Sequence, residues 1–283
     1  MPPRSLRSLP PEGCTARGSC LRAAAHALVL AVQGMTEPTP QGIPPAHLHP
    51  RIVPWQHALA WYEEAMRLFK RAPAMWAALA LITIAAELVL RLVPSLGPLL
   101  AEAVAPLVAC GLVFAAASVD RGANPALADA ARAFRAPPGA IAAIVASALI
   151  TFIAESLAAW WIADANLLDP GGAMGDIRPS VLIGIYAIGL LASLPVMFVP
   201  FHVLLEPVAP LAAFAASWNA FALNAVPLIA YAGASLVLVG FGLATFGFGF
   251  VLALPLWIAS SYAAWKDIFG IRDAPQGDRR TSG

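Results

Sequence analysis

Between about Ala74 and Trp265 the chain repeats one pattern, an apolar stretch near the twenty residues that a helix needs to cross a bilayer. Lipid offers no hydrogen bonds to a bare backbone, so such stretches satisfy their own N–H and C=O groups as helices. The expected fold class is all-α: a polytopic membrane protein with six transmembrane helices plus interfacial amphipathic helices on the cytoplasmic side. With 60% of its 283 residues hydrophobic and 12% charged, the chain holds more apolar surface than one soluble core could hide.

The expected spans are 74–95, 97–118, 140–162, 181–203, 225–245 and 247–266. The last two belong to one apolar run from Ala225 to Trp265. At about 1.5 Å per residue that run would cover about twice a 30 Å hydrocarbon core, so a hairpin is required. Gly240, Gly242, Gly247 and Gly249 mark its turn; the Gly-Phe-Gly pairs resemble a nucleotide loop but lack the strand such a loop follows. Ser95, Gly97 and Pro98 suit a tight turn between the first two spans.

Basic residues set the orientation. Of the thirteen from Met35 onward, an N-in, C-in topology puts all but Arg91 and Arg178 on the cytoplasmic side, which places the protein in the cell inner membrane with both termini inside. The outer loop Ala163–Pro179 carries Asp164, Asp169 and Asp176 instead. Residues 1–53 read as a disordered or mis-assigned leader, 54–270 as the six-span membrane domain and 271–283 as a disordered cytoplasmic tail. Within the leader, Arg4, Arg7, Arg17 and Arg22 precede an apolar run, Ala23–Val32, that resembles a signal peptide; the run holds His26 and lacks a cleavage site, so a start at Met35 is expected.

From Pro54 to Arg71, Trp55, Leu59, Tyr62, Met66 and Phe69 recur at helical spacing and Glu63 stands one turn from Arg67. That pattern predicts an amphipathic helix lying in the interface, or alternatively one packed on neighbouring loops. Related segments precede the second and third span pairs. EAMRLFKRAP at 64–73, DAARAFRAPP at 129–138 and AASWNAFALNAVP at 215–227 each end in phenylalanine and then proline, which reads as a threefold repeat of interfacial helix plus hairpin; the alternative is chance recurrence in a chain with 26 prolines.

Leu68, Phe69 and Trp76, Gly97 and Pro98, Pro106 and Gly111, and Asp120-Arg121-Gly122 carry a resemblance, continued by Pro200, Ser217, Asn224, Pro227, Pro255, Tyr262, Asp267, Ile268 and Phe269. Over about Trp55 to Gly270 the chain resembles a family of uncharacterised proteobacterial multi-pass inner-membrane proteins. More distantly it resembles the membrane domain joined to some glycerophosphodiester phosphodiesterases. The resemblance implies a helical inner-membrane protein; the phosphodiesterase domain itself is absent, so that activity does not carry over.

Charges inside spans are costly, about 2.5 to 3.5 kcal/mol each at a helix centre, and mark candidate sites. Glu87, Arg91, Glu102 and Glu155 form such a candidate intramembrane polar cluster, the three glutamates falling at similar depth near the outer ends of their spans. They read either as a hydrated pocket that exchanges protons or binds a cation, or as ion pairs tying helices together. His202 and Glu206 stand one turn apart, as a polar pair or as two membrane-surface residues. Asn219 and Asn224 can bond across helices, and Trp55, Trp61, Trp76, Trp160, Trp161, Trp257 and Trp265 form an aromatic belt at the span ends.

Other chemistry lacks its parts. Cys14, Cys20 and Cys110 imply no disulfide framework, and Leu107–Cys110 mimics a lipoprotein cleavage box in mid-chain; a buried thiol is the simpler reading. His47 and His49 without a third ligand make a poor metal site. H-E-x-x-H, G-x-S-x-G and P-loop motifs are missing, so neither cofactor nor catalytic residue is assigned. A net charge of +1 argues against a nucleic-acid partner. The expected function is a non-enzymatic scaffold or accessory of the cell envelope, in contact with membrane lipids and a membrane-protein partner or a second copy. The alternative is a small-solute or lipid transporter using the intramembrane glutamates, with an intramembrane enzyme third.

Overall fold

The computed structural model describes residues 48–94, 96–168, 178–206 and 208–271. The signal-like leader, the start at Met35, Cys14, Cys20 and His47 lie outside the described residues, as do Asp169, Asp176 and the tail from Arg272. Every described regular element is helical: α1 (His57–Arg71), α2 (Pro73–Arg91), α3 (Gly97–Asp120), a 3-10 helix (Leu127–Arg135), α4 (Pro138–Ala163), α5 (Pro179–Ser193), a 3-10 turn (Leu194–Val196), α6 (Val199–Leu205), α7 (Pro210–Leu223), α8 (Ala225–Ala244) and α9 (Phe250–Ile268).

Proline explains many of these boundaries. It stands in the first two positions of α2, α3, α4, α5, α6 and α7, where its missing N–H has no partner to lose and its fixed φ suits the helix. Glycine closes the other end twice: Gly122 past α3 and Gly270 past α9 adopt φ of +77° and +64°, the left-handed geometry that ends a helix without steric cost.

Among the described residues five helices are long and apolar enough to cross a membrane: Pro73–Arg91, Gly97–Asp120, Pro138–Ala163, Pro179–Val196 and Ala225–Ala244. The chain is thus a multi-pass membrane protein, and its long helices expose Leu88, Val89, Leu157, Trp161 and Val237 as a lipid-facing surface would. The sixth expected span corresponds to α9. Its second half carries Ser260, Ser261, Tyr262, Lys266 and Asp267, which lower its hydropathy, and it packs against α1, α2, α3 and α8. The apolar run does fold as a hairpin: α8 and α9 are joined by residues 245–249, where Gly247 takes φ +91° and the Gly249 N–H donates to Thr245 Oγ1 at 2.7 Å.

The fourth expected span is broken. α5 gives way to the 3-10 turn and then α6, with Pro195 and Pro200 flanking the break. At the break the Phe198 N–H donates to Ser217 Oγ of α7 at 3.2 Å, so a side chain replaces the missing helical partner.

The three short segments each pack on a different part of the bundle: α1 on α9, the 3-10 helix on α3, and α7 on the 3-10 turn and α6. Their buried faces correspond. Counting back from Phe69, Phe134 and Phe221, the residues one and four positions earlier are Leu68 and Ala65, Ala133 and Ala130, and Ala220 and Ser217, all buried. Gly111 permits the second contact, because a Cβ there would stand 2.6 Å from Ala130 Cα.

Two details differ from the expected pattern. Arg67 pairs with Glu64, three residues away, in place of Glu63, and α1 turns Ala58, Trp61, Ala65 and Leu68 onto the bundle while Trp55, Leu59 and Met66 stay exposed. Trp61, Trp76 and Trp265 are buried core residues, outside any interfacial belt, because α1 and the end of α9 cover them; Trp55, Trp160 and Trp161 remain exposed.

Candidate functional site

The charged residues of the spans gather at two ends of the bundle. Toward the end holding the α2–α3 connection, Arg91 Nε donates to Glu87 Oε1 of the same helix at 2.6 Å and Arg91 Nη2 donates to Glu102 Oε1 of α3 at 3.0 Å. The tight turn makes this reach possible: a Cβ on Gly97 would lie 2.6 Å from the Arg91 carbonyl oxygen, so only glycine lets α3 start so close to the end of α2. The Arg91 side chain keeps 38% of its surface exposed and Glu102 18%, so the cluster is half-buried with its charges paired.

Glu155 of α4 stands within Coulombic range of Glu102 and Arg91. Its side chain lies on Gly189 of α5, where a Cβ would come within 2.1 Å of Glu155 Oε1. Tyr186, one turn before Gly189, shares this neighbourhood with all three glutamates and Arg91. The structure therefore brings Glu87, Arg91 and Glu102 into hydrogen-bond contact and sets Glu155 beside them, with no hydrogen bond to any of the three among the described residues. Sequence reading missed Tyr186 and Gly189; a tyrosine and a glycine one turn apart in an otherwise apolar helix were the available signal.

The opposite end is held by a denser network. Asp267 of α9 accepts from His57 Nδ1 at 2.6 Å and Trp61 Nε1 at 3.0 Å, both on α1, and forms an ion pair with Arg51. Burial pushes the Asp267 carboxyl up, but the hydrogen bonds from His57, Trp61 and Arg51 outweigh it and hold it below the usual carboxylate range; the residue lies one position past the stretch 247–266. Asn224 binds the same leading segment: its Oδ1 accepts from the Val53 N–H at 2.8 Å and its Nδ2 donates to the Arg51 carbonyl at 3.0 Å. Asn219 is exposed.

Asp120, at the end of α3, accepts from Tyr262 at 2.9 Å and pairs with Lys266, both on α9. His202 is fully buried, donating or accepting through Nδ1 at 2.9 Å from Glu206 while its ring meets Phe269 edge-on with centroids 4.5 Å apart. Between the two ends, α3, α4, the broken α5–α6 and α9 line an open apolar cavity of about 250 Å³. Its hydroxyls are already spent on their own helices: Ser147 donates to Ile144 O at 2.8 Å, Ser193 to Leu190 O at 2.7 Å and Ser261 to Trp257 O at 2.9 Å. Such a lining suits an apolar occupant.

Among the described residues no three His, Cys, Asp or Glu side chains converge as metal ligands, and Cys110 is a buried thiol. No family model, no curated protein and no solved structure matches the chain.

Proposed function

We propose that this is a six-span inner-membrane protein with both termini in the cytoplasm, built from three repeats of a short helix plus a hairpin, and that it serves as a non-catalytic scaffold or accessory of the cell envelope. The observation that carries this reading is the use made of the polar side chains. Asp120, Asp267 and Asn224 tie α3, α9 and the start of α8 to one another or to the leading segment, and Arg91 ties α2 to α3. Groups committed to bracing are poorly placed for turnover. The three short segments, each packed on the preceding or, for the first, the last hairpin, support the repeat, and Asp120, Asn224 and Asp267 are among the residues that carry the resemblance to multi-pass inner-membrane proteins.

Topology is tested by reporter fusions after Gly122, Gly172, Ala213 and Gly270, which should read inside, outside, inside and inside; an inside signal at Gly172 ends the six-span reading. For the function, the native membrane complexes of a deletion strain should lose or shift one defined species that the restored gene brings back. Unchanged complexes together with transport by the purified protein in vesicles would overturn it.

A lipid or small-solute transporter is the second reading. It is favoured by Glu155 beside the Arg91 cluster and by the proline-broken α5–α6 flanking the apolar cavity, the type of discontinuous helix that lines binding sites in transporters. Under it, Glu155→Gln abolishes vesicle transport and leaves the melting temperature unchanged, whereas Arg91→Gln lowers both.

A further inference from the structure

Two clefts open at the end of the bundle that holds Asp120 and Asp267. One, of about 390 Å³, lies at the α1–α9 corner, lined by Arg51, Trp61, Glu64, Arg67, Lys266 and Asp267. The other, of about 440 Å³, lies between the 3-10 helix and α6, lined by Phe114, Asp129, Arg132, Arg135, Val203 and Leu204. The two corners carry corresponding segments, EAMRLFKRAP and DAARAFRAPP, so Arg67 matches Arg132 and Lys70 matches Arg135. Their charge balance differs.

At the first corner each lining cation faces a carboxylate: Arg51 meets Asp267, Arg67 meets Glu64 and Lys266 meets Asp120. At the second, Asp129 is the one carboxylate on the lining. Its Oδ2 accepts from the Ala126 N–H at 2.9 Å, while its Oδ1 stands 3.8 Å from Arg132 Nη1, beyond hydrogen-bond length. The Arg132 guanidinium lies over the Phe114 ring, 4.4 Å from its centroid, which orients its plane, and the side chain keeps 55% of its surface exposed. Arg135 is exposed and has no ion-pair partner among the described residues.

The facing wall is apolar, formed by Val203 and Leu204 of α6. Deeper along α3 and α6, Cys110, Val113, Pro200 and Phe201 line the apolar cavity. A ligand that satisfies both halves of this cleft is anionic at one end and hydrocarbon at the other.

We infer that the cleft between the 3-10 helix and α6 binds an anionic phospholipid, its phosphate between Arg132 and Arg135 and an acyl chain along Val203 and Leu204. Guanidinium groups bind phosphate oxygens through paired N–H donors, and a lipid with no cation of its own leaves its charge for them to neutralise. A free phosphate would use the arginines and leave the apolar wall facing nothing. The proposal deepens the membrane-component reading and relies on its topology only for the leaflet.

The test uses the full-length protein in detergent, with binding of phosphatidylglycerol and of phosphatidylcholine with the same acyl chains followed by native mass spectrometry. Phosphatidylglycerol should bind at least about fivefold more tightly, and Arg132→Gln and Arg135→Gln should each weaken it about fivefold, the scale of one cation near an anionic lipid surface. Phosphatidylcholine binding should not change. Arg121→Gln removes an exposed charge outside the cleft and should leave phosphatidylglycerol binding unchanged. Because Arg135 is exposed, Arg135→Gln should melt like the parent. Equal binding of the two lipids, an equal loss from Arg121→Gln, or displacement of phosphatidylglycerol by inorganic phosphate at matched concentration would overturn the inference. An outward reporter at Gly122 with the Arg135 effect intact would sink the topology and leave the lipid site standing.

Discussion

The corner where α1 meets α9 and the corner where the 3-10 helix meets α3 start from ten-residue segments that share alanine, arginine, phenylalanine and proline at the same positions, and are secured by different physics. Glu64-Ala65 and Asp129-Ala130 begin the two segments, and both carry an acid–arginine pair three residues apart. The first becomes an α-helix fastened by polar bonds to Asp267; the second becomes a 3-10 helix drawn in until Ala130 touches α3 at Gly111. One motif can thus be anchored either by hydrogen bonds or by close approach, and the choice lies in the long helix it meets. Arg67 is held closely by Glu64 at the first corner, whereas Arg132 stands 3.8 Å from Asp129 at the second.

The largest effect should come from the residue that joins the corners. Asp120→Ala removes the shared acceptor of Lys266 and Tyr262 and should cost about 3 kcal/mol, read as a lowered melting midpoint in detergent; a change within error would show that the pair is not a brace. Gly111→Val should cost about 2 kcal/mol, since its Cβ meets backbone that cannot swing aside, while valine at the exposed Gly122 site tests only local strain. If Gly111→Val melts like the parent, contact is not what secures the second corner.

Asp267→Asn should cost about 1 kcal/mol and expose the leading segment to protease, because it weakens the bonds from His57, Trp61 and Arg51. Its pH signature is directional. The Asp267 carboxyl is held low in the folded protein, so its contribution is full above the unfolded value of about 4 and disappears as pH falls through the folded value. The parent should lose stability in that acid window and Asp267→Asn should lose less; parallel profiles would remove Asp267 as the anchor. Smallest is Glu64→Gln, which breaks an exposed pair and should change stability by less than about 0.5 kcal/mol, with any loss screened by salt.

Much of the fold was legible because hydropathy and punctuation are local. The prolines that close the first two short segments, Pro73 and Pro138, stand at the starts of α2 and α4, and of the four glycines expected to mark the hairpin Gly247 and Gly249 lie in its turn while Gly240 and Gly242 are still in α8. The break between α5 and α6 was not legible, since Pro195 and Pro200 sit in a run whose hydropathy continues through them, and the Ser217 hydroxyl that stabilises the break comes from another helix. Within the candidate cluster, Glu87 and Arg91 were readable from a one-turn spacing. Tyr186 was not, because its place depends on how α5 lies against α4.

The sequence alone determined that this chain inhabits a membrane, that its elements are helices, and where most of them begin, because each of these follows from residues within one or two helical turns of one another. Only the tertiary structure decided which polar groups are partners. Asp120 meets Lys266 across 146 positions and His57 meets Asp267 across 210, so no periodicity connects them. The same holds for the net positive charge of the cleft at Arg132 and Arg135: two segments that share a sequence pattern acquire different balances because one is packed against a helix that carries Asp267 in its last turn and the other against a helix that offers it Gly111 and Phe114.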